Sequence, residues 1–372
     1  MKKIGITGQN GFIGKHLFNT VGLYPEKFER IIFDKTFFET ESLLDAFVSK
    51  CDIIVHLAGM NRHQDPQVIY DTNIALTDKL IASLQRTKST AHIIFSSSTQ
   101  EEKDNLFGKS KKQARNLLNN WANAGNGVFT GMIIPNVFGP FGNPYYNSVV
   151  ATFCHQLTNG EVPNVDVDSE LKLIYVGELV NEIMNAITEN RTVLSSEVAH
   201  TYVIKVSEIL KLLESFTLGY QLNGIIPIIN NTFELNLFNT FRSYADIKKQ
   251  YPVKFTQYTD SRGSFAEVIR LNMGGQVSFS TTLPGTTRGN HFHTRKIERF
   301  AVIKGKALLQ LRRIGTDEVM DFYLNGDEPS YVDMPIWYAH NIKNIGNDEL
   351  YTIFWINEFY DSENPDTYFE RV

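Results

Sequence analysis

Cysteine is nearly absent: Cys51 and Cys154 are the only two among 372 residues. Two thiols cannot build a disulfide framework, so the fold must rest on its hydrophobic core, and a reduced cytoplasmic setting fits best. Long apolar runs are missing as well. No stretch approaches the roughly 20 apolar residues that span a bilayer, and the opening MKKIGITG turns to glycine too soon for a signal-peptide core. Neither sign of charge dominates: a formal charge of −5 leaves no electrostatic footprint for nucleic acid or an anionic membrane. Low-complexity tracts and fixed-period repeats are also lacking, which excludes solenoids. What is present is a globular composition, 42% apolar and 21% charged, in a chain long enough for two domains.

KIGIT (3–7) reads as a buried strand that runs into TGQNGFIG and then into a helical pattern beginning KHLFNT. Gly8, Gly11 and Gly14 let the backbone turn tightly and come close to a pyrophosphate, while the free N–H groups at the helix start attract phosphates. A strand before and a helix after is the context a dinucleotide fingerprint requires. The next strand, RIIF, ends at Asp34 and Lys35, twenty residues past Gly14. Asp34 could accept from the ribose hydroxyls of NAD, whereas Lys35 could pair with the extra phosphate of NADP, and both stay open. DIIVHLAG (52–59), a helical run around Asn73, and AHIIFSSS follow. Apolar strands alternating with helices imply a parallel, doubly wound sheet.

These landmarks, with PNVFGP (135–140) and IYVGE (174–178), resemble the extended short-chain dehydrogenase/reductase family of nucleotide-sugar enzymes over about residues 1–215. The resemblance implies a Rossmann fold in which Gly8, Gly11, Phe12, Ile13, Gly14, Leu57, Ala58, Gly59 and Asn73 border the cofactor. It also puts Ser98 (or Thr99) beside the substrate carbonyl. That family carries Tyr-x-x-x-Lys on a helix: the phenol exchanges a proton with the substrate oxygen, and the lysine holds the nicotinamide ribose and depresses the phenol pKa. LFGKSKK keeps Lys111 but sets Phe107 at the tyrosine position, and no other tyrosine lies between Tyr70 and Tyr145. Three readings follow: slow reduction with Ser98 or water delivering the proton, nucleotide-sugar binding without turnover, or an engineered inactive form.

The last third is organised around GTTRGNHFHTRKIERFAVIKG (285–305). Period two places His291 and His293 on one face of an extended strand. Glu298 follows before the strand-like FAVIKG, and PIWYAHNIKN brings in His340. Two histidines on one strand face, a carboxylate on the next strand and a distant histidine make a metal-ligand set. The spacings G-x5-H-x-H-x4-E-x6-G and P-x4-H-x3-N resemble the two motifs of the cupin family, a small double-sheet β-barrel. Trp337 stands where the second motif usually has glycine, so the turn beside His340 is expected to differ. Asp260, Arg262, Gly263 and Phe265, with Arg288, Gly289 and His291, are similar to segments of the sugar-nucleotide 3,5-epimerases, where the histidine is a metal-free base. His293, Glu298 and His340 favour the ligand role for His291. Turn residues between about 216 and 250 interrupt the patterning, which puts an NAD(P)-binding domain at 1–245 and a cupin domain at 246–372.

An extended reductase-like domain followed by a cupin resembles the bifunctional capsular polysaccharide biosynthesis enzymes of the CapF type. IVHLAGMNR, NSVVATFC, RGNHFH, PIWYAHNI and NPDTYF carry the match over nearly the whole chain. The resemblance implies that the cupin inverts C3 of a UDP-linked 2-acetamido-2,6-dideoxy-4-keto hexose. The first domain then reduces C4 with NADPH (NADH being possible) to an N-acetyl-6-deoxy-L-talosamine nucleotide, a precursor of N-acetyl-L-fucosamine. It further implies a homodimer through the cupins and Zn2+, or another divalent metal, on His291, His293, Glu298 and His340. Arg288, Lys296 and Tyr338 are candidates for proton transfer or substrate contact beside Ser98, Phe107 and Lys111. Two other classes remain: a cupin oxygenase holding iron, and a binding protein with an inactive reductase domain.

Overall fold

A computed structural model describes residues 1–261 and 263–372, so Arg262 of the epimerase-like segment lies outside the described residues. The chain divides into two compact units: Met1–Thr152 with Val167–Val206, and Phe153–Asp166 with Ser207–Val372. No helix among the described residues is long and apolar enough to cross a membrane.

The first unit holds a six-stranded sheet in the order Phe28–Ile31, Lys2–Thr7, Ile53–His56, His92–Ser98, Val128–Ile134, Val193–Glu197. Every pairing in it is parallel. Central strands read as unbroken apolar runs because helices cover both faces; all four residues of Ile53–His56 are buried. One face packs Phe33, Phe47, Leu80, Phe95, Leu118 and Phe129. The other packs Ile6, Leu17, Val55, Ile94, Leu179 and Ile183. Burial of each such side chain stabilises the fold by about 1.5–3 kcal/mol. The chain leaves Lys2–Thr7 toward one edge and returns on its other side at Ile53–His56. That reversal opens a crevice at the carboxyl ends of these two strands, where doubly wound folds bind ligands. The second strand is shifted from the expected RIIF and ends at Ile31. Asp34 instead caps the short 3-10 helix Lys35–Glu39 by accepting from the Thr36 N–H, and the Phe33 N–H is drawn to Gln9 Oε1 at 3.0 Å.

The second unit contains two five-stranded antiparallel sheets. One runs Val253–Lys254, Ser330–Met334, Glu298–Lys304, Leu350–Ile356, Gln276–Thr282. The other runs Val319–Asn325, Lys306–Arg313, Tyr338–Asn344, Thr287–Phe292, Tyr368–Phe369. Alternation gives Glu298–Lys304 two working faces: Glu298 points to the histidines of the other sheet, and Arg299 points away to Asp333, bonded at 2.6 and 2.9 Å. Residues 207–245, which the sequence reading places with the first domain, cluster with the second unit. Their polar side chains explain why. Tyr220 donates to Asp333 Oδ2 at 2.7 Å, Arg242 to the Met334 carbonyl at 2.9 Å and Asn239 to the Arg295 carbonyl at 2.9 Å.

The turn before His340 departs from expectation in an instructive way. Trp337 adopts φ +62°, the left-handed conformation that glycine takes without cost and that a side chain resists by about 1–2 kcal/mol. The glycine-type turn is therefore kept. Trp337 is held there by stacking on Phe292 at 5.5 Å and by its N–H to the His293 carbonyl at 2.8 Å.

Candidate functional site

In the first unit, Gly8 at φ +77° turns the chain, and a Cβ on it would stand 2.9 Å from the Ala58 nitrogen. A Cβ on Gly14 would stand 2.2 Å from the Gly8 carbonyl oxygen, so only glycine lets the helix Phe12–Val21 pack this closely on the turn. Gly11 is the N-cap and has no side chain in a cap bond, which leaves the first N–H groups of the helix for an anion. Ala58 N–H donates to Thr7 Oγ1 at 3.3 Å, which joins the two strand ends that border the crevice. This cradle fits a dinucleotide pyrophosphate. Asp34 is exposed; its Oδ1 accepts from Thr36 N–H at 2.9 Å and Thr36 Oγ1 at 2.7 Å. Those bonds hold its carboxyl below its ordinary pKa, so a fixed negative charge stands beside exposed Lys35.

Asn73 also has partners within the protein. Its amide accepts from Met60 N–H at 2.7 Å and donates to the Met60 carbonyl at 2.9 Å and Ser110 Oγ at 3.0 Å. It thus ties the Gly59–Met60 turn to the helix Leu106–Trp121. On that helix Lys111 is buried, and its Nζ donates to the Ser96 carbonyl at 2.9 Å. Burial pulls its pKa down to about 8, against the raising effect of Glu101. The Phe107 ring centre lies 5.9 Å from Nζ. Ser98 Oγ accepts from Gln100 N–H at 3.2 Å and caps the turn Thr99–Glu102. Sequence reading missed the partner of that turn. Arg115, one helical turn beyond Lys111, grips Glu101 at 2.6 and 2.9 Å, and both side chains are buried. The i, i+4 spacing from Lys111 was the available signal.

In the second unit the four expected donors converge: one ligand atom from each of His291, His293, Glu298 and His340 lies within 4.8 Å of all the others. Antiparallel register sets His291 opposite His340, across a bulge between Gly289 and His291. Their Nε2 atoms are 3.1 Å apart, and Glu298 Oε2 is 3.2 Å from Nε2 of both His293 and His340. His293 ends just past the strand Thr287–Phe292, its Nδ1 bonded to the Asp366 carbonyl oxygen. His340 Nδ1 bonds the Tyr338 carbonyl at 3.2 Å, and His291 bonds the Gly289 backbone. With carbonyls accepting from the outer nitrogens of His293 and His340, their inner Nε2 atoms face Glu298, and release of the Nε2 protons would make them lone-pair donors to a cation. Burial, then the neighbouring imidazoles, push the His291 pKa down to about 3. Burial would lift Glu298, but hydrogen bonds from His293 and His340 hold it well below the usual carboxylate range. His293 is raised because the Glu298 hydrogen bond and charge outweigh burial. Three imidazole nitrogens and a carboxylate oxygen suit a divalent cation such as zinc.

The other candidates stand around this cluster unequally. Arg288 is exposed, with Nε on Thr282 Oγ1 at 3.1 Å and Nη2 on the Thr281 carbonyl at 3.0 Å. Lys296 is buried and turned to the Pro365 carbonyl at 2.7 Å, with Glu358 at 3.7 Å. Tyr338 is buried on the strand that carries His340. Asp366 was not foreseen: its carboxylate accepts from the Thr294, Arg295 and Lys296 N–H groups, each at 3.0 Å for the nearer oxygen, and so shapes the turn between His293 and Glu298.

Comparison with known proteins covers both units. The model of the NAD dependent epimerase/dehydratase family matches residues 4–204, and that of the polysaccharide biosynthesis C-terminal domain matches residues 258–368. UDP-2-acetamido-2,6-beta-L-arabino-hexul-4-ose reductase of Pseudomonas aeruginosa is 32% identical over 373 residues, which cover 98% of each chain. The crystal structure of the capsular polysaccharide assembling protein CapF from Staphylococcus aureus is 35% identical, covers 100% of both chains and gives a TM-score of 0.64. The structure of RMD from Pseudomonas aeruginosa complexed with NADPH is 18% identical over 59% of this chain and 83% of that one, with a TM-score of 0.53, and speaks for the fold alone.

Proposed function

This chain belongs to the NAD dependent epimerase/dehydratase family and to the CapF-type enzymes of capsular polysaccharide synthesis, and on that premise we propose that it is a bifunctional nucleotide-sugar enzyme. Its second unit, a cupin, epimerises C3 of a UDP-linked 2-acetamido-2,6-dideoxy-4-keto hexose. Its first unit then reduces the C4 ketone to an N-acetyl-6-deoxy-L-talosamine nucleotide. One observation carries the reading: a largely buried N3O donor cluster and a glycine-turned dinucleotide cradle occur in a single chain.

A 4-keto group acidifies the C3 proton, because the carbanion delocalises onto oxygen as an enolate. Inversion then needs a base, a proton donor on the opposite face, and positive charge beside the enolate oxygen. A divalent cation, zinc on this donor set, supplies such charge when bound to His291, His293, Glu298 and His340. Exposed Arg288, oriented by Thr281 and Thr282, meets an anionic part of the substrate. Lys296, bonded to the Pro365 carbonyl, orients the turn between His293 and Glu298. In the first unit a bound NADPH, or NADH, supplies hydride to C4. Lys111 holds its ribose, the N–H groups after Gly11 hold its pyrophosphate, and Ser98 faces the substrate oxygen. The chain pairs as a homodimer through its second units. The strand Gln276–Thr282 ends its sheet and carries Phe279 outward at 73% exposure.

Incubation of the 4-keto sugar nucleotide with the protein in D2O, without nicotinamide cofactor, places deuterium at C3. Addition of NADPH or NADH then consumes the cofactor. Absence of deuterium with folded, zinc-replete protein removes the epimerase half. Absence of cofactor consumption by both the protein and Phe107→Tyr removes the reductase half.

A further inference from the structure

Reduction at C4 needs a proton on the oxygen, and Phe107 removes the phenol that would bring it. Four ionisable side chains interact around this point among the described residues: His56, Glu101, Arg115 and Lys111. His56, on the strand Ile53–His56, has Nδ1 hydrogen-bonded to Thr7 Oγ1 at 2.7 Å; burial, then the charge of Lys111, push its pKa down to about 3. It is a neutral ring at physiological pH and a poor acid. Glu101, on the turn Thr99–Glu102, accepts from Ser97 Oγ and from two Arg115 nitrogens. Gripped this way it is a carboxylate, which accepts hydrogen bonds and has no proton to give.

Lys111 differs from both. The Ser96 carbonyl is its one hydrogen-bond partner among the described residues, although an ammonium has three protons. Its Nζ lies 5.0 Å from the Phe95 ring centre and 5.9 Å from that of Phe107. Gly59 offers no side chain there: a Cβ on it would come to 3.4 Å from Nζ and 3.0 Å from Asn73 Oδ1. The strand Ile53–His56 presents neutral His56, the turn presents the Glu101 carboxylate, the helix Pro66–Arg86 presents the neutral Asn73 amide, and the lysine's own helix presents Arg115. Phe107, one turn before Lys111, keeps the ring of a tyrosine and lacks its hydroxyl.

We propose that Lys111 is the general acid of the first unit, its ammonium protonating the C4 oxygen through a water seated where a phenol oxygen would lie. The inference rests on reading this unit as a 4-keto sugar reductase. The step balances: C4 gains the hydride of the reduced nicotinamide, the C=O π pair moves to oxygen, and that oxygen takes the proton relayed from Lys111. The neutral amine left behind is recharged from solvent. An ammonium that titrates near 8 is an acid matched to neutral pH, unlike an ordinary lysine.

The test uses the full-length protein, its UDP-linked 4-keto sugar and either nicotinamide cofactor. The rate of cofactor oxidation should be level below pH 7 and fall through pH about 8. Lys111→Arg keeps a cation for the ribose but holds its proton far more tightly. It should bind cofactor by fluorescence within a few-fold of the parent, lose about 10²–10⁴ in rate, and lose the pH step. Independently of turnover, 13C NMR of lysine Cε in the cofactor-free protein should show one resonance, absent from Lys111→Arg, that titrates near pH 8. A rate that is level past pH 9, an undiminished Lys111→Arg, or a Lys111 resonance titrating with the other lysines overturns the assignment. If the protein and Phe107→Tyr both bind cofactor and neither oxidises it, the reductase reading falls and takes this inference with it.

Discussion

Asp333 faces two buried guanidinium groups, those of Arg299 and Arg242, and its removal is a sharp perturbation of the second unit. Its side chain is 1% exposed and that of Arg299 is 2% exposed, joined by the 2.6 Å Nε–Oδ1 bond and its parallel partner. Tyr220 donates to Oδ2 and also meets Tyr251 and Arg242, at 2.9 and 3.2 Å. Arg299 in turn donates to the Gly224 carbonyl and stacks 3.8 Å over Tyr331. Asp333→Asn keeps the shape and deletes the charge, leaving buried Arg299 and Arg242 without the carboxylate that faces them. Breaking a buried pair from one side costs about 3–5 kcal/mol, and each kcal/mol moves Tm by about 2–4 °C in a unit of 150–250 residues. Calorimetry should therefore show the second unit's transition falling by about 6–20 °C. The double variant Arg299→Met/Asp333→Leu should recover the part of that loss due to Arg299, because that charge and its partner leave together, while Arg242 keeps its bonds to Tyr220 and the Met334 carbonyl. A fall equivalent to less than about 1 kcal/mol for Asp333→Asn, or a double variant as unstable as the two single changes added, would refute the reasoning.

Other perturbations separate the two sites. His340→Ala removes one of four donors, so retained zinc after dialysis and C3 deuterium exchange should fall together by more than the about 10–100-fold typical of outer-layer changes; full metal retention would remove His340 from the ligand set. Asp34→Ser deletes a fixed negative charge at the end of the second strand. Fluorescence titration should show the NADPH-to-NADH affinity ratio rising about tenfold, equivalent to about 1.4 kcal/mol, and an unchanged ratio would mean that Asp34 does not face the ribose. Burial lowers His56 to about 3 and His92 to about 4. The unfolded chain then takes up protons below about pH 6.5 that the fold refuses, so the first unit should lose stability as pH falls from there toward 3, by up to about 1.4 kcal/mol per pH unit for each group. Urea melts at pH 7 and pH 5 would check this, and His92→Gln should flatten the slope.

The parts of this molecule that were legible in its sequence are those in which neighbours along the chain are neighbours in space. Gly8, Gly11 and Gly14 lie within one strand–turn–helix, and His291, His293 and Glu298 lie within eight residues across the turn that joins the two sheets, so spacing alone brought both groups forward as candidates. His340 needed a second motif, and antiparallel register supplied the closure. Where two distant segments decide the outcome, the pattern was mute. Arg299 next to Glu298 reads as one more solvated charge until Asp333, itself bonded by Tyr220, pairs with it from a later strand. For Trp337, sequence poses a choice between a changed turn and a strained one, and the partners that decide it, Phe292 and the His293 carbonyl, lie more than forty residues earlier. Phe107 and Lys111 combine both situations. The helix register shows what is missing, but the consequence depends on how Ser96, Glu101, His56 and Asn73 surround Nζ, since that surrounding sets whether the lysine is an ordinary cation or a usable acid. Replacement of a catalytic phenol therefore has a meaning only relative to the acid strength of what stands beside it, and in this chain that neighbour is Lys111.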